Sequence, residues 1–266
     1  MQSDYENILQ VEGLSKYFGG LAAVSNCSIK IKKGSITGVI GPNGSGKTTL
    51  FNLIAGNLIP SKGSVFFQGE DITAIPSYEL FSKGLLRTFQ IAHEFTNLTV
   101  LENLMMVPGN QSGEDLINAW FKTKIVNEEE QKIKEKAFEV IEFLNLKHLT
   151  NELAGNLSGG QKKLLELGRT MMVDAKIVLL DEVAAGVNRT LLKEISNSIF
   201  RLNKEKGYTF CMIEHDMDFI SRMCDPVIVM SEGSVLFQGT ADEVKNNEQV
   251  IESYLGRRTV LEKEKN

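Results

Sequence analysis

The segment from Gly41 to Thr48 reads GPNGSGKT, and its residue types and spacing are suited to holding phosphate groups. Glycines let successive backbone N–H groups curl around phosphate oxygens, and the N-terminus of a following helix adds partial positive charge. Lys47 reaches the outer phosphates, and Thr48 offers its hydroxyl to magnesium. We therefore predict a nucleotide site that consists of Gly41, Pro42, Asn43, Gly44, Ser45, Gly46, Lys47, Thr48 and Thr49.

Two adjacent acids, Asp181 and Glu182, end the apolar run IVLLDE. A strand that ends in this way delivers both carboxylates to the carboxyl edge of a parallel sheet, where ligands of such folds bind. We expect Asp181 to hold magnesium, directly or through water, and Glu182 to orient or deprotonate an attacking water. Together with the phosphate loop, the acids predict hydrolysis of the nucleotide.

A second glycine-rich helix start, Ser158-Gly159-Gly160-Gln161, lies in the stretch NLSGGQKKLLELGR. Ser158 can cap this helix, and the N–H groups of its first turn, together with the helix dipole, form a second anion site. A glycine-rich helix start on its own would have no functional meaning. Alongside a phosphate loop it predicts a second contact with the nucleotide, far along the chain from the first.

The apolar runs before residue 75 predict an antiparallel sheet beside the strand that feeds the phosphate loop. ILQVEGLSKYF and CSIKIKKGSITGVIG are typical of strands on either side of a Gly-Gly turn, and SVFFQGEDI is typical of a hairpin. The phosphate loop itself precedes GKTTLFNLIAGNL, which predicts a helix.

The second half of the chain predicts a parallel sheet. KIVLLDE and TFCMIEH are short apolar runs separated by a helical segment, which indicates parallel strands with a crossover helix, and PVIVMSEGSVLFQG predicts a closing pair of strands. Between the two halves, from about residue 76 to 157, the pattern is helical. Apolar residues three and four apart predict an amphipathic helix there; they are Ile133, Ala137, Val140, Ile141 and Leu144.

Length, composition and charge describe an ordinary globular chain. Its 266 residues can bury one sizeable core with a smaller subdomain, and a formal charge of −5 argues against a nucleic-acid partner. No apolar run approaches the roughly 18 to 20 residues of a membrane span, and the first residues lack the pattern of a signal peptide, so we expect a cytosolic chain. The three cysteines have neither zinc-site nor disulfide spacing, and we expect buried, reduced thiols.

In order and content these motifs resemble the ATP-binding subunits of ABC transporters, over nearly the full length of the chain. That family carries, in order, an adenine-stacking aromatic, a phosphate loop, a glutamine loop, an LSGGQ signature, an Asp-Glu strand end, a D-loop and a switch histidine. This sequence supplies Phe18, with Tyr17 as the neighbouring candidate, then Gly41 to Thr48, Gln90, Ser158 to Gln161, Asp181-Glu182, AAGVN and His215.

The resemblance implies an α/β P-loop NTPase fold, with a mixed parallel core sheet, an N-terminal antiparallel β subdomain and a helical subdomain. We expect one ABC ATPase domain over residues 1–266. Its core and β subdomain would cover about 1–90 and 157–255, its helical subdomain about 91–156, and a tail would follow at 256–266.

The resemblance also implies ATP and Mg²⁺ as cofactors and assigns roles to single residues. Gln90 would reach the magnesium or water and sense the membrane partner, and His215 would contact the γ-phosphate and stabilise charge in the transition state. The implied catalytic residues are Glu182, His215, Gln90 and Lys47, and the implied metal ligands are Thr48, Gln90 and Asp181. Val183 stands where the family has proline and Asn188 replaces the D-loop aspartate, and we expect both departures to affect the rate and not the reaction.

The implied working unit is a head-to-tail pair of ATPase subunits, identical or related, in which Lys47, Gln90 and His215 of one subunit and Ser158 and Gly160 of the other grip each γ-phosphate. Closure and reopening of the pair would drive membrane permease subunits at the cytoplasmic face of the membrane. The stretch AHEFTNLTVLENL is the expected docking surface, although its apolar residues fit equally well as core of a helical lobe; they are Phe95, Leu98, Val100, Leu101 and Leu104.

Within the family, LLRTFQIAHEFTNLTVLENLMM, DEVAAGVN and VIESYLG are similar to the ATPases of branched-chain amino-acid importers and of their urea and amide relatives. This likeness implies import, with an extracytoplasmic solute-binding protein as an indirect partner. Three alternatives are a soluble ABC-type ATPase of DNA repair or translation, a nucleotide-gated scaffold without turnover, and a metabolite kinase. Against a repair or translation ATPase, the sequence shows neither coiled-coil arms nor a second cassette. Against a scaffold without turnover, it contains Glu182 and His215. Against a metabolite kinase, it contains LSGGQ, which a kinase does not use.

Overall fold

The structure is a computed structural model, and it describes residues 6–88, 94–109, 111 and 123–254. Gln90, one of the predicted site residues, lies outside the described residues. The chain forms two compact units. The first combines Met1–Arg87, Lys176–Ala184 and Phe200–Asn266, and the second combines Thr88–Ala175 and Ala185–Ile199.

The first unit contains an antiparallel sheet with the strand order β2-β1-β4-β5. Its strands are β1 (Asn7–Phe18), β2 (Leu21–Lys32), β4 (Lys62–Phe67) and β5 (Glu70–Asp71). β1 pairs with both β2 and β4, and β4 pairs with β5 as the predicted hairpin. The prediction of an N-terminal antiparallel sheet is therefore confirmed.

A second sheet in the same unit has the strand order β10-β9-β3-β8-β7-β6. Its strands are β3 (Ile36–Ile40), β6 (Leu85–Arg87), β7 (Ile177–Asp181), β8 (Thr209–Ile213), β9 (Val227–Ser231) and β10 (Ser234–Gly239). All neighbours are parallel except β9 and β10. β3, β7 and β8 are buried at every position, as expected for continuous apolar runs inside a parallel sheet.

One strand prediction is wrong. CSIKIKKGSITGVIG is not a single strand, because a turn separates β2 from β3 and the two strands belong to different sheets. Gly34 supplies the turn with a positive φ of 74°, and the Ser35 N–H donates to the carbonyl oxygen of Lys32 across it. The Lys-Lys-Gly-Ser stretch is thus a sheet-switching turn, for which glycine is the suitable residue.

The helices of the first unit are short. Those that the structure describes are α1 (Lys47–Ile54), α2 (Ser77–Lys83), α7 (Met217–Met223) and α8 (Ala241–Asn246). Residues 248–254 are also helical, and residues 200–206 are the end of a longer helix that begins in the second unit. α1 contributes Leu50, Phe51 and Ile54 to a core that both sheets share. The three cysteines are free and buried, as predicted, and burial raises the pKa of the Cys27 thiol to about 12.

The second unit is helical. It contains α3 (Val100–Met105), α4 (Thr123–Phe143), α5 (Gly159–Met171) and the first part of α6 (Arg189–Lys206), together with short 3₁₀ turns at Lys147–Leu149 and Ala154–Asn156. The predicted apolar face of α4 is confirmed, since Ala137, Val140 and Ile141 are buried. Within the described ranges, no helix of either unit has the length and apolar character that crossing a bilayer would need.

Candidate functional site

The phosphate loop lies between β3 and α1 and is closely packed. Gly41, Gly44 and Gly46 have φ angles of 151°, 77° and 98°. A Cβ on Gly41 would lie 2.1 Å from the carbonyl oxygen of Met230, and a Cβ on Gly46 would lie 2.4 Å from that of Ala23. Backbone atoms therefore leave space for glycine only, which explains why the loop needs glycine at both positions.

Lys47 is the first residue of α1, and its side chain turns back over the loop. Its ammonium donates to the carbonyl oxygens of Gly41 at 2.8 Å and Pro42 at 3.0 Å. Gly46 is the N-cap of α1 and provides no side-chain cap, so the first N–H groups of this helix point at the loop without a competing side-chain acceptor. The combination of a cation and helix N–H groups favours an anion here.

A pocket of about 470 Å³ opens beside the loop, entirely within the first unit. Its lining residues are Phe18, Leu21, Ala22, Ala23, Asn43, Gly44, Gly46, Lys47, Thr48, Thr49, Glu182 and His215. Of the two aromatic candidates, Phe18 lines this pocket and Tyr17 does not. Phe18 is 48% exposed, and the Lys16 ammonium lies 5.3 Å from its ring centroid, so the pocket lining includes a partly exposed aromatic ring.

Asp181 ends β7 and is only 4% exposed. One of its carboxylate oxygens, Oδ2, accepts a hydrogen bond from Arg87 Nη2 at 2.9 Å. The other terminal nitrogen of Arg87, Nη1, donates to Asn52 Oδ1 of α1. Sequence reasoning did not single out Arg87, because an isolated arginine in LLRTFQ has no motif of its own.

Glu182 and His215 follow the neighbouring strands β7 and β8 and meet at the edge of the pocket. His215 Nε2 lies 2.9 Å from Glu182 Oε1. Glu182 has a left-handed backbone with φ 51°, and its N–H donates to Ile213. A proline at position 183 would push the preceding residue towards an extended backbone, so Val183 leaves Glu182 free to adopt this conformation. The arrangement places an acid and a histidine side by side beside the phosphate loop.

The residues after Glu182 are also held by side chains. The buried Glu214, next to His215, accepts the Ala184 N–H through Oε1 at 2.8 Å. In the second unit, Asn188 Oδ1 accepts the Leu191 N–H at 2.9 Å at the start of α6. Asn188 therefore performs the helix-start bonding that aspartate also performs.

The signature helix α5 has a complete capping box. Ser158 Oγ accepts the Gln161 N–H at 3.4 Å, and Gln161 Oε1 accepts the Ser158 N–H at 2.8 Å. The prediction that Ser158 caps this helix is confirmed. Gly160 is buried, and a Cβ there would lie 2.1 Å from Leu191 Cδ2, whereas Ser158 and Gly159 are exposed.

In the described part of the expected docking surface, residues 94–104 of the second unit, some apolar residues are buried and others are exposed. Val100 and Leu104 are fully buried, and they are core residues. Phe95 is 48% exposed, and the Arg169 guanidinium carbon lies 5.6 Å from its ring centroid. Asn103, which sequence reasoning missed, is buried; it accepts from the Phe95 N–H and donates to the carbonyl oxygens of Phe95, Leu98 and Thr99.

The donor set of the first unit fits magnesium. Thr48 offers a hydroxyl oxygen and Asp181 a carboxylate oxygen, both of which are hard ligands. Among the described residues there is no group of three or more histidine, cysteine, aspartate or glutamate side chains that could hold a metal alone. Magnesium typically binds through one or two carboxylates plus substrate phosphates, so a site completed by the nucleotide agrees with this composition.

Tyr254 is a further residue that sequence reasoning did not assign. It belongs to the helical residues 248–254, and burial raises its pKa while a backbone hydrogen bond with Gly41 acts in the opposite direction. The stretch VIESYLG contains this tyrosine. Its contact with Gly41, the first glycine of the phosphate loop, joins residues that are far apart in sequence, so it could be found only in the structure.

Comparison with protein families gives two matches. The model of the family described as ABC transporter matches residues 24–185. A second model, described as branched-chain amino acid ATP-binding cassette transporter, matches residues 234–259. The first match covers the phosphate loop, the signature and the Asp181-Glu182 strand end, and the second covers the segment that carries Tyr254.

Known proteins resemble the chain over almost its whole length. It is 45% identical over 252 residues to the probable branched-chain amino acid transport ATP-binding protein LivG of Archaeoglobus fulgidus, covering 94% of this chain and 95% of the relative. It is 36% identical over 249 residues to the high-affinity branched-chain amino acid transport ATP-binding protein BraF of Pseudomonas aeruginosa, covering 94% and 98%.

Solved structures agree with this relationship. A nucleotide-free ATP-binding cassette from an ABC transporter superposes with a TM-score of 0.80 at 41% identity, covering 93% of this chain and 98% of that one. The ADP conformation of MJ1267, an ATP-binding cassette of an ABC transporter, gives a TM-score of 0.80 at 40% identity, covering 95% and 100%. The predicted α/β ABC ATPase fold is therefore confirmed.

Proposed function

Since the chain belongs to the ABC transporter family and is an ATP-binding, ATP-hydrolysing subunit, we propose that it uses ATP and Mg²⁺ to drive import of branched-chain amino acids through membrane permease subunits. One observation carries the hydrolytic part of the proposal. Glu182 and His215, 2.9 Å apart, line the same pocket as the phosphate loop. An acid for the attacking water and a histidine for the developing charge thus stand beside the expected γ-phosphate position.

The residues of the proposed nucleotide site would divide the work as follows. Phe18 would stack on the adenine, Lys47 and the N–H groups of Gly41 to Thr49 would hold the phosphates, and Glu182 would orient or deprotonate water. Thr48, Asp181 and Gln90 would hold magnesium, which would supply positive charge to neutralise the phosphates. His215 would contact the γ-phosphate.

We propose that two subunits, identical or related, pair head to tail around two ATP molecules. Each chain has one phosphate loop and one signature. Ser158 and Gly159 are exposed, so the signature is accessible to a ligand carried by another molecule. Ser158, Gly159, Gly160 and Gln161 would complete the partner's site, and loss of the γ-phosphate would weaken the pair.

The second unit would dock the permease subunits at the cytoplasmic face of the membrane. Phe95 supports this assignment because it is an exposed aromatic in a backbone held firmly by Asn103. The predicted helical subdomain, about 91–156, is the part of the chain that we propose to move with the permeases. An extracytoplasmic solute-binding protein would deliver the cargo without touching this chain.

The proposed cargo rests on two supports. The branched-chain family model matches residues 234–259, and relatives 45% and 36% identical are named as branched-chain amino acid transport proteins. Urea and short amides are the alternative cargo. This subunit does not contact the cargo in the proposed arrangement, so the cargo must be tested by transport.

Hydrolysis is tested by steady-state ATPase assays on the full chain. Wild type should turn over ATP in the presence of Mg²⁺, and Glu182→Gln should lower the rate by about 10²- to 10⁴-fold while retaining ATP binding. Glu130→Gln, on an exposed face of α4, is the matched control and should keep the wild-type rate. Equal rates for the two variants would remove Glu182 from the reaction.

Cargo is tested in the host cell. Deletion of the gene should abolish uptake of labelled leucine, isoleucine and valine at low concentration, and the wild-type chain, unlike Glu182→Gln, should restore it. Uptake of labelled urea and acetamide is measured in parallel. Loss of those two with normal leucine uptake would replace the proposed cargo with the alternative.

A further inference from the structure

Arg87 is the last residue of β6, and its side chain lies against the carboxyl edge of the parallel sheet. The side chain is only 9% exposed, and its partner carboxylate on Asp181 is 3% exposed. Arg87 and Asp181 therefore form a buried ion pair between two neighbouring strands, at the position where we propose that magnesium binds.

Burial makes this pair costly to break. A carboxylate removed from water needs a compensating charge, and removal of one partner from a buried pair leaves the other charge uncompensated. Among the described residues, Arg87 is the only side chain bonded to the Asp181 carboxylate. Without a metal, the compensation of Asp181 thus depends on Arg87.

The same guanidinium also reaches α1. Arg87 Nη1 bonds Asn52 Oδ1, and Asn52 lies four residues after Thr48, one helical turn further along the same face. Asp181 and Thr48, the two proposed metal ligands in the first unit, thus belong to the two elements that Arg87 joins. A planar guanidinium with fixed donor directions is suited to holding two acceptors at a set separation.

The guanidinium of this pair has one donor that the described residues leave without a hydrogen-bond partner. This donor, Arg87 Nε, is buried. A buried polar group without a hydrogen-bond partner is energetically costly, and such groups are typical of sites where a bound ligand or ion supplies the missing interaction.

We propose that Arg87 is a positioning residue that compensates and orients the Asp181 carboxylate before magnesium arrives, and that the metal ion then takes over part of this compensation. The inference rests on the proposed role of Asp181 as a metal ligand. Arg87 itself does not need to touch the nucleotide. Its effect passes through Asp181 and through Asn52 on α1.

The test measures thermal unfolding of the full chain with ADP, once with EDTA and once with Mg²⁺. In EDTA, Arg87→Gln should lower the midpoint by about 6 to 12 °C, because the buried carboxylate loses its counter-charge. With Mg²⁺ the loss should fall to less than half of that value.

Arg87→Lys, which keeps the charge, should recover part of the midpoint in EDTA. Arg222→Gln, at an exposed arginine, should show no dependence on Mg²⁺.

A double variant makes the test independent of simple misfolding. Arg87→Gln combined with Asp181→Asn should be more stable in EDTA than the sum of the two single losses predicts, because no uncompensated charge remains. Additive losses, or a loss for Arg87→Gln that is the same with and without Mg²⁺, would show that Arg87 is only a packing residue and would overturn the proposal.

Binding of Mn²⁺ to the ADP complex, followed by electron paramagnetic resonance, separates this inference from the role on which it rests. Asp181→Asn should weaken Mn²⁺ binding by at least about tenfold, as loss of a metal ligand or its support does. If Mn²⁺ affinity is unchanged, the metal role of Asp181 is wrong and the inference falls with it. A second outcome is that Asp181→Asn weakens Mn²⁺ binding while Arg87→Gln lowers the unfolding midpoint equally with and without Mg²⁺. In that case Asp181 binds metal, and only the role of Arg87 is overturned.

Discussion

The chain contains two glycine-rich helix starts that look alike in sequence and are built differently. At α1 the N-cap is Gly46, no side chain caps the helix, and the loop before it uses glycines with positive φ. At α5 the N-cap is Ser158, and a reciprocal capping box with Gln161 satisfies the helix start from within the chain. Neither Gly159 nor Gly160 has a positive φ.

This difference separates two kinds of anion site. The phosphate loop presents backbone donors that have no side-chain cap, so it can hold phosphate within one molecule. The signature start is already capped, but the bond in which Ser158 Oγ accepts the Gln161 N–H is long, at 3.4 Å, so this N–H can exchange Ser158 for a stronger acceptor. We infer that the first start binds the nucleotide and that the second responds to a nucleotide presented by another chain.

The largest expected effect comes from adding one methyl group at Gly46 in the first start, with Gly159 in the second start as the matched control. Gly46→Ala should weaken ATP binding by at least about tenfold, since the left-handed backbone costs about 1–2 kcal/mol and the methyl meets a backbone oxygen that cannot move away. Gly159→Ala should leave the affinity of the isolated chain unchanged, because the nearest atom to its Cβ is 3.9 Å away. Calorimetric titration with ATP measures both, and equal tolerance at the two positions would break the comparison.

A smaller effect is expected at Gly160, where the obstacle is a side chain. Gly160→Ala should lower the free energy of unfolding by about 1–2 kcal/mol, because Leu191 must move to admit the methyl group. ATP affinity of the isolated chain should not change. Leu191→Ala in the same chain should recover part of the loss in urea unfolding; a double variant as unstable as the sum of the single variants would contradict this account.

The smallest effect concerns the cap itself. Ser158→Ala should cost about 0.5–1 kcal/mol of unfolding free energy, as the loss of an N-cap hydroxyl does, and Ser158→Gly only a few tenths. Both variants should bind ATP normally as single chains. In a Glu182→Gln background, both should weaken ATP-dependent pairing, measured by sedimentation. Normal pairing in both would show that the Ser158 hydroxyl serves the helix alone.

Local patterns were predictable from the sequence because they depend on neighbours along the chain. The phosphate loop and the Ser-x-x-Gln capping pattern each lie within a few residues, and both follow from spacing. The parallel pairing of β7 and β8 and the β9–β10 hairpin also follow from short apolar runs and their connections.

Contacts between distant segments were not predictable in the same way. The choice of Phe18 over Tyr17 depends on which face of β1 each residue occupies, and the register of β1 shifts between Lys16 and Tyr17. Arg87 meets Asp181 across 94 positions of sequence. The need for glycine at 160 arises from Leu191, on another helix. Each of these depends on tertiary packing that residue types alone do not determine.

The close packing of the phosphate loop against neighbouring backbone segments also affects how it binds a ligand. β3, which carries the loop, is hydrogen-bonded on both sides, by β8 and β9, and the loop glycines lie directly against the backbone at Met230 and Ala23. Such a loop has few alternative conformations to lose when a ligand arrives. Little of the free energy gained from the phosphate–donor contacts is therefore offset by a loss of conformational entropy in the loop, and more of it contributes to affinity.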